Sequence, residues 1–321
     1  LNFHIHQGDA LTVLRTLPEA SVHCCITSPP YFGLRDYGVA GQLGLERTLA
    51  EYVEKMVEVF QEVARVLRDD GTLFLNLGDS YNSSPSNQQG KARKSFHKGC
   101  NKDAWAPVGR RQRHVLGLKP KDLCGIPWRV ALALQADGWY WRDCIVWHKP
   151  APMPESVRDR CTKSWEPIFM FAKSERYYFD SFAIAERLAR PEEMDRATPA
   201  KFGGADKFTE AKKQSRLHSG NEYTGTPTGT RNKRNVWTLS PMATPDAHFA
   251  TFPLELPETC LRAGCPEDGT VLDPFAGAGT TGLACLKQSR NFVGIELNPK
   301  YIEIAYNRAR KYYPLLMEAT A

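Results

Sequence analysis

Seven short apolar runs punctuate the chain, at 3–6, 23–27, 72–76, 144–147, 167–171, 270–273 and 292–296. Each is too short for a helix and apolar nearly throughout, so each reads as a strand buried on both faces. Helical periods separate many of them. Over 49–67 the residues Tyr52, Met56, Val59, Phe60, Val63 and Val66 share one face, and Gly71 follows as a stop signal. Segments 127–135 and 280–287 also carry helical spacing, as does 300–310 behind the start signal Asn298-Pro299. Alternating strands and helices restrict the chain to an α/β fold, a Rossmann-like, doubly wound, mostly parallel sheet of about seven strands. Ligands on such sheets bind beyond the carboxyl ends of the strands.

Two strand ends carry unusual turns. The run Val271-Leu272-Asp273-Pro274-Phe275 leads into Ala276-Gly277-Ala278-Gly279-Thr280-Thr281. Gly277 and Gly279 allow a tight bend and close approach of backbone to a ligand. Thr280 and Thr281 are expected to cap the next helix, whose first amides would face that ligand. No third glycine completes a dinucleotide fingerprint. The following strand, Phe292-Val293-Gly294-Ile295-Glu296, ends in an acid, where nucleoside-binding sheets take up the ribose hydroxyls.

The other turn is Thr27-Ser28-Pro29-Pro30-Tyr31. Consecutive prolines fix φ and donate no backbone hydrogen bonds, so carbonyl oxygens are left as acceptors. An aromatic base amine offers two N–H donors. Ser28 Oγ and the Pro29 carbonyl would take both, freeing the nitrogen lone pair for attack, and Tyr31 offers a face for stacking.

Composition narrows the partners. Of 321 residues, 42% are apolar and 24% charged, the profile of a globular protein, and the net charge of +6 permits a polyanionic partner. Two polar segments concentrate the positive charge. Segment 82–121 includes Lys94, Arg110, Arg111 and Arg113. Segment 186–235 includes Lys212, Lys213, Arg231, Lys233 and Arg234. Both exceed ordinary connections, and phosphate contact is the expected use. Arg35 after the tetrapeptide, and Arg158 and Arg160 after a proline-rich stretch, are further candidates for contact with a polyanionic partner. His148 ends a strand and reads as a hydrogen-bonded structural histidine. No run is long enough to span a bilayer, and no secretory signal opens the sequence. The nine cysteines are scattered without ligand spacing, which points to reduced thiols, a cytoplasmic setting and no metal site.

In this order, the two turns resemble the permuted, β-class S-adenosylmethionine-dependent amino-methyltransferases of DNA. In that class the S/D/N-P-P-Y/F motif precedes the cofactor motif. The resemblance covers nearly the whole chain and implies a circularly permuted methyltransferase fold. It makes Ser28, Pro29, Pro30 and Tyr31 the catalytic motif. It also implies cofactor contacts from Asp9 and Ala10, from Thr251 and Phe252 in the segment closing over the methionine end, and from Asp273, Phe275, Gly277, Gly279, Thr280, Thr281, Glu296 and Asn298. The implied organisation is a catalytic half, 1–185, with a basic insertion at 82–121, a target-recognition region at 186–235, and a cofactor-binding half of the same domain, 236–321.

Serine at the first motif position resembles the members that modify N4 of cytosine, whereas aspartate is usual for N6 of adenine. The acceptor geometry suits either amine. Double-stranded DNA is the implied substrate, with base flipping. A homodimer and a cognate restriction endonuclease fit the resemblance. An RNA methyltransferase and an inactive nucleic-acid-binding protein stand as the alternatives.

Overall fold

The computed structural model describes residues 1–34, 38–39, 41–82, 115, 117–187, 230–241 and 252–318. Its centre is an eight-stranded sheet. In chain order the strands are β1 (Phe3–Gln7), β2 (Val22–Thr27), β3 (Leu67–Asn76), β4 (Tyr140–His148), β5 (Trp165–Ala172), β8 (Val236–Thr238), β9 (Thr270–Asp273) and β10 (Asn291–Glu296). The spatial order is β1-β10-β9-β2-β3-β5-β4-β8. All neighbours are parallel except at β5, which runs against both β3 and β4. The two-residue strands β6 (Glu186–Arg187) and β7 (Thr230–Arg231) pair antiparallel, apart from this sheet.

Along the central strands successive residues enter opposite cores, as the two-residue strand period requires, whereas the edge strands β1 and β8 bury one face. Cys24, Phe74, Ile168, Val271 and Phe292 face one layer. It is covered by α4 (Glu255–Gly264), α5 (Thr280–Lys287) and α6 (Pro299–Tyr312), the last continuing into the short α7 (Pro314–Glu318). Cys25, Leu73, Phe169 and Leu272 face the other, covered by α1 (Ala10–Leu14), α2 (Leu49–Val66) and α3 (Ile126–Ala136). Both faces are therefore dry, which is why the strands read as continuous apolar runs.

Helix α2 opens with a capping box, Thr48 Oγ1 accepting from the Glu51 amide and Glu51 accepting from Thr48. It buries the six apolar residues named above. Gly71 does not end it. The chain passes straight from Val66 into β3, and Gly71 lies inside that strand. Leu67 adopts extended backbone at the C-cap, so no left-handed residue is required. Strand β8, only three residues long, adds an eighth member beyond β4. Helix α4 carries Pro257 in its first turn, where the ring is tolerated, and this disguises the helix in the sequence. The described cysteines are all free thiols, five of them fully buried in the two cores and a sixth, Cys124, nearly so.

Candidate active site

Seven strands point their carboxyl ends to one edge of the sheet: β1, β10, β9, β2, β3, β4 and β8. Because β5 is reversed, its amino end joins them. A cavity of about 340 Å³ opens along this edge and touches both turns.

One carboxylate ties the two turns together. Asp273, at the end of β9, is buried. Its Oδ1 accepts from Thr27 Oγ1 at 2.7 Å and from the Phe275 amide at 3.1 Å, and its Oδ2 accepts from Thr281 Oγ1 at 2.7 Å. Burial raises its pKa from 3.8 to about 6, against the pull of these donors. Thr281 thus spends its hydroxyl inside the protein rather than as a helix cap. The N-cap of α5 is Gly279 in the left-handed region, with no side-chain cap. Thr280 is likewise no cap: its Oγ1 accepts from Arg308 at 3.2 Å. Gly279 is a packing glycine, since a Cβ there would meet Ala305 Cβ at 2.7 Å. Gly277 differs. A Cβ on it would meet only the Phe275 carbonyl at 3.9 Å, so its backbone borders open cavity.

Glu296 closes this end. Its Oε2 accepts from the Gly277 amide at 2.8 Å and its Oε1 from the Asn298 amide at 2.7 Å, while burial pushes its carboxyl upward. Asp9 caps α1 through the Thr12 amide at 2.9 Å, and Asn298 caps α6 through the Lys300 amide at 3.1 Å. Asp9, Ala10, Phe252, Asp273, Phe275, Gly277, Thr280, Glu296 and Asn298 all line the cavity, whereas Gly279 and Thr281 stand behind its wall. Thr251 lies outside the described residues.

The tetrapeptide follows β2, the neighbour of β9 in the sheet. All four of its residues line the cavity. Ser28 Oγ lies 3.3 Å from the Tyr31 hydroxyl and 3.4 Å from Asn76 Oδ1. The Tyr31 hydroxyl reaches Asn76 Oδ1 at 3.1 Å and Glu166 Oε2 at 3.0 Å. Its ring packs against Gly78, where a Cβ would come within 2.1 Å of it. From below, Tyr52 of α2 donates to the Pro30 carbonyl at 2.9 Å.

Residues 22–307 match the model of the N6/N4 methyltransferase family described as DNA methylase. The chain belongs to this family. It is an S-adenosylmethionine-dependent DNA methyltransferase. The methylase is 45% identical to the type II methyltransferase M.XycI of Xanthomonas campestris pv. cyanopsidis, over 95% of this chain and 86% of that one. The PvuII DNA methyltransferase, cytosine-N4-specific, shares the fold at a TM-score of 0.62 with 20% identity, over 96% of this chain and 86% of that one. A DNA modification methylase of Thermus thermophilus, TTHA0409, solved with S-adenosyl-L-methionine, superposes at a TM-score of 0.56 with 24% identity, over 97% and 96% of the two chains.

Among the residues of the methylase cavity that sequence reasoning missed are Asn76, Trp147, Lys149 and Glu166. Asn76 ends β3, and its Nδ2 donates to the Pro167 carbonyl at 3.1 Å. Glu166 bonds Tyr31 through one oxygen and Lys149 Nζ through the other. Lys149 Nζ also sits 4.2 Å from the centre of the Trp147 ring. Glu166 faces Trp147 across the β4–β5 ladder. A hairpin reading of β4 and β5 would have signalled it. His148 does not line the cavity and pairs its Nδ1 with Thr238 Oγ1 at 3.2 Å.

The basic candidates of the methylase divide. Arg231, Lys233 and Arg234 converge on Glu186 at 3.3, 3.8 and 3.0 Å, beside the β6–β7 pair. Arg160 pairs with Glu155 and stacks over Tyr81 at 4.2 Å, and Arg158 is exposed. Arg35, Lys94, Arg110, Arg111, Arg113, Lys212 and Lys213 lie outside the described residues. Among the described residues no helix is long and apolar enough to cross a membrane.

Proposed function

We propose that this methylase places its methyl group on N4 of cytosine in duplex DNA, with the target base turned out into the cavity. The observation that carries the reading is Ser28. Its hydroxyl, rather than a carboxylate, stands at the head of the tetrapeptide in the cavity wall, beside Tyr31 and Asn76.

The cofactor fits the end lined by Asp9, Phe275, Gly277 and Glu296. The open space at Gly277 admits a ligand against the backbone, and the Glu296 carboxylate suits a ribose diol. When bound, S-adenosylmethionine supplies an electrophilic methyl on a sulfonium. The protein does the rest by positioning. Ser28 Oγ and the Pro29 carbonyl would accept hydrogen bonds from the two amine N–H groups and leave the nitrogen lone pair free for attack. Positive charge developing on nitrogen faces the Ser28 and Asn76 oxygens. Ser28 is a weak base, so its role is orientation, and the proton that the methylated amine must lose passes to solvent water. The ring-carbon route to methylcytosine needs a Pro-Cys nucleophile, and the sequence contains none.

Residues 1–185 and 236–321 form one methyltransferase domain, and 186–235 reads the target sequence. The likeness to type II methyltransferases supports a protective role beside a restriction endonuclease.

Mass spectrometry of nucleosides from DNA treated with the protein and cofactor tests the reading. N4-methylcytosine is expected. N6-methyladenine would retain the chemistry and overturn the base assignment, and methylation of RNA in preference to duplex DNA would overturn the substrate class. Ser28→Ala is expected to lower kcat on the order of 100-fold with cofactor Kd unchanged. Equal turnover would remove Ser28 from the mechanism.

A further inference from the structure

Cytosine and adenine present the same first two features to an amine-methylating site, an exocyclic amine and a neighbouring ring nitrogen. They differ on the far side of that nitrogen. Cytosine carries the O2 carbonyl, a strong acceptor, where adenine carries an apolar C2–H. A site that prefers cytosine therefore gains most from a donor placed beyond the tetrapeptide, away from the cofactor.

Lys149 is the one cationic side chain among the described residues lining the cavity. It follows β4, four strands from the cofactor turn after β9 in the order β9-β2-β3-β5-β4. At a strand spacing of about 4.8 Å this sets the two backbones roughly 19 Å apart, so Lys149 belongs to the base end. Three hydrogen bonds in series join Ser28 Oγ to Lys149 Nζ, through the Tyr31 hydroxyl and the Glu166 carboxylate. The ammonium is therefore anchored on the same hydrogen-bonded chain as the acceptor of the amine. Glu166 takes one of its three N–H donors, the Trp147 ring supports it, and the side chain is only 19% exposed. Its anchoring is fixed by groups already engaged with the catalytic motif.

We infer that Lys149, held by Glu166, reads the target base by donating to O2 of cytosine, and so sets cytosine over adenine. This rests on the cytosine-N4 reading above. Lys149 is a specificity determinant. Glu166 is a positioning residue that acts through Lys149 and Tyr31.

The test uses the full chain and a duplex bearing the site it methylates on plasmid DNA. The target position carries cytosine or adenine opposite an abasic residue, which equalises the cost of flipping. In wild type, kcat/KM is expected to favour cytosine. Lys149→Met is expected to lower kcat/KM for cytosine by roughly 10- to 100-fold, the worth of a hydrogen bond to a charged group, and that for adenine by less than about 3-fold. Cofactor Kd, measured by calorimetry, stays constant and certifies the fold. Lys149→Arg restores part of the preference. An equal fall for both bases, or an unchanged preference, would overturn the role of Lys149 while leaving the cytosine assignment intact. Adenine preferred by the wild-type protein would overturn that assignment first and this inference with it.

Discussion

At the residue scale, Asp273 gives the sharpest test. Its folded pKa of about 6 lies above the ordinary 3.8, so the folded state holds the proton more tightly than the unfolded one. Its contribution is fully present below pH 3.8 and is lost as pH rises through about 6, a change on the order of 3 kcal/mol. Asp273→Asn keeps the shape and removes the titration. Urea unfolding at about pH 4.5 and about pH 7.5, on either side of the folded value, is expected to show wild type losing stability relative to the variant as pH rises. A pH-independent difference would mean that the carboxylate stays ionised throughout. The same residue shows what the sequence makes legible. Asp273, Glu296 and Ser28 each end a run whose strand character is plain, and each stands in the cavity wall. Thr281 departs from its expected capping role because only the fold reveals that Asp273 reaches its hydroxyl first. Lys149 and Glu166 carry no local signature at all. They become site residues when β4 and β5 pair antiparallel and bring Glu166 to the edge where the other strands end.

At the element scale, α2 reaches from its buried face into the chemistry. Tyr52 packs edge-on against Phe32 and holds the Pro30 carbonyl. Tyr52→Phe keeps the ring and leaves that carbonyl short of a donor, a loss of about 1–2 kcal/mol. The expected outcome is a lower midpoint in urea, with kcat reduced roughly 3- to 10-fold by a loosened tetrapeptide. Unchanged kcat would make the bond purely structural. The periodicity of α2 is readable because its buried residues repeat at helical spacing. Helix α1 spans only Ala10–Leu14, too short for a period to register, and β8 is shorter still.

At the scale of the whole molecule, sequence order and spatial order diverge. Strand β2, which delivers the tetrapeptide, lies between β3 from its own half and β9 from the other. The helices of one layer, α4, α5 and α6, all come from beyond residue 254. A fragment of residues 1–185 would expose one edge of β2 and a full apolar face of the sheet. It is expected to lack cooperative urea unfolding alone and to regain it when co-expressed with 236–321. A stable isolated fragment would show that the two segments are separate domains. The carboxylate shared by Thr27 and Thr281 also limits how such an enzyme can be remodelled. The methyl-donor turn and the amine-gripping strand cannot drift apart without stranding a buried acid. Room for a bulkier alkyl donor has to come from elsewhere in the lining, where Leu34, Val39 and Leu43 border the cavity and take no part in this strut.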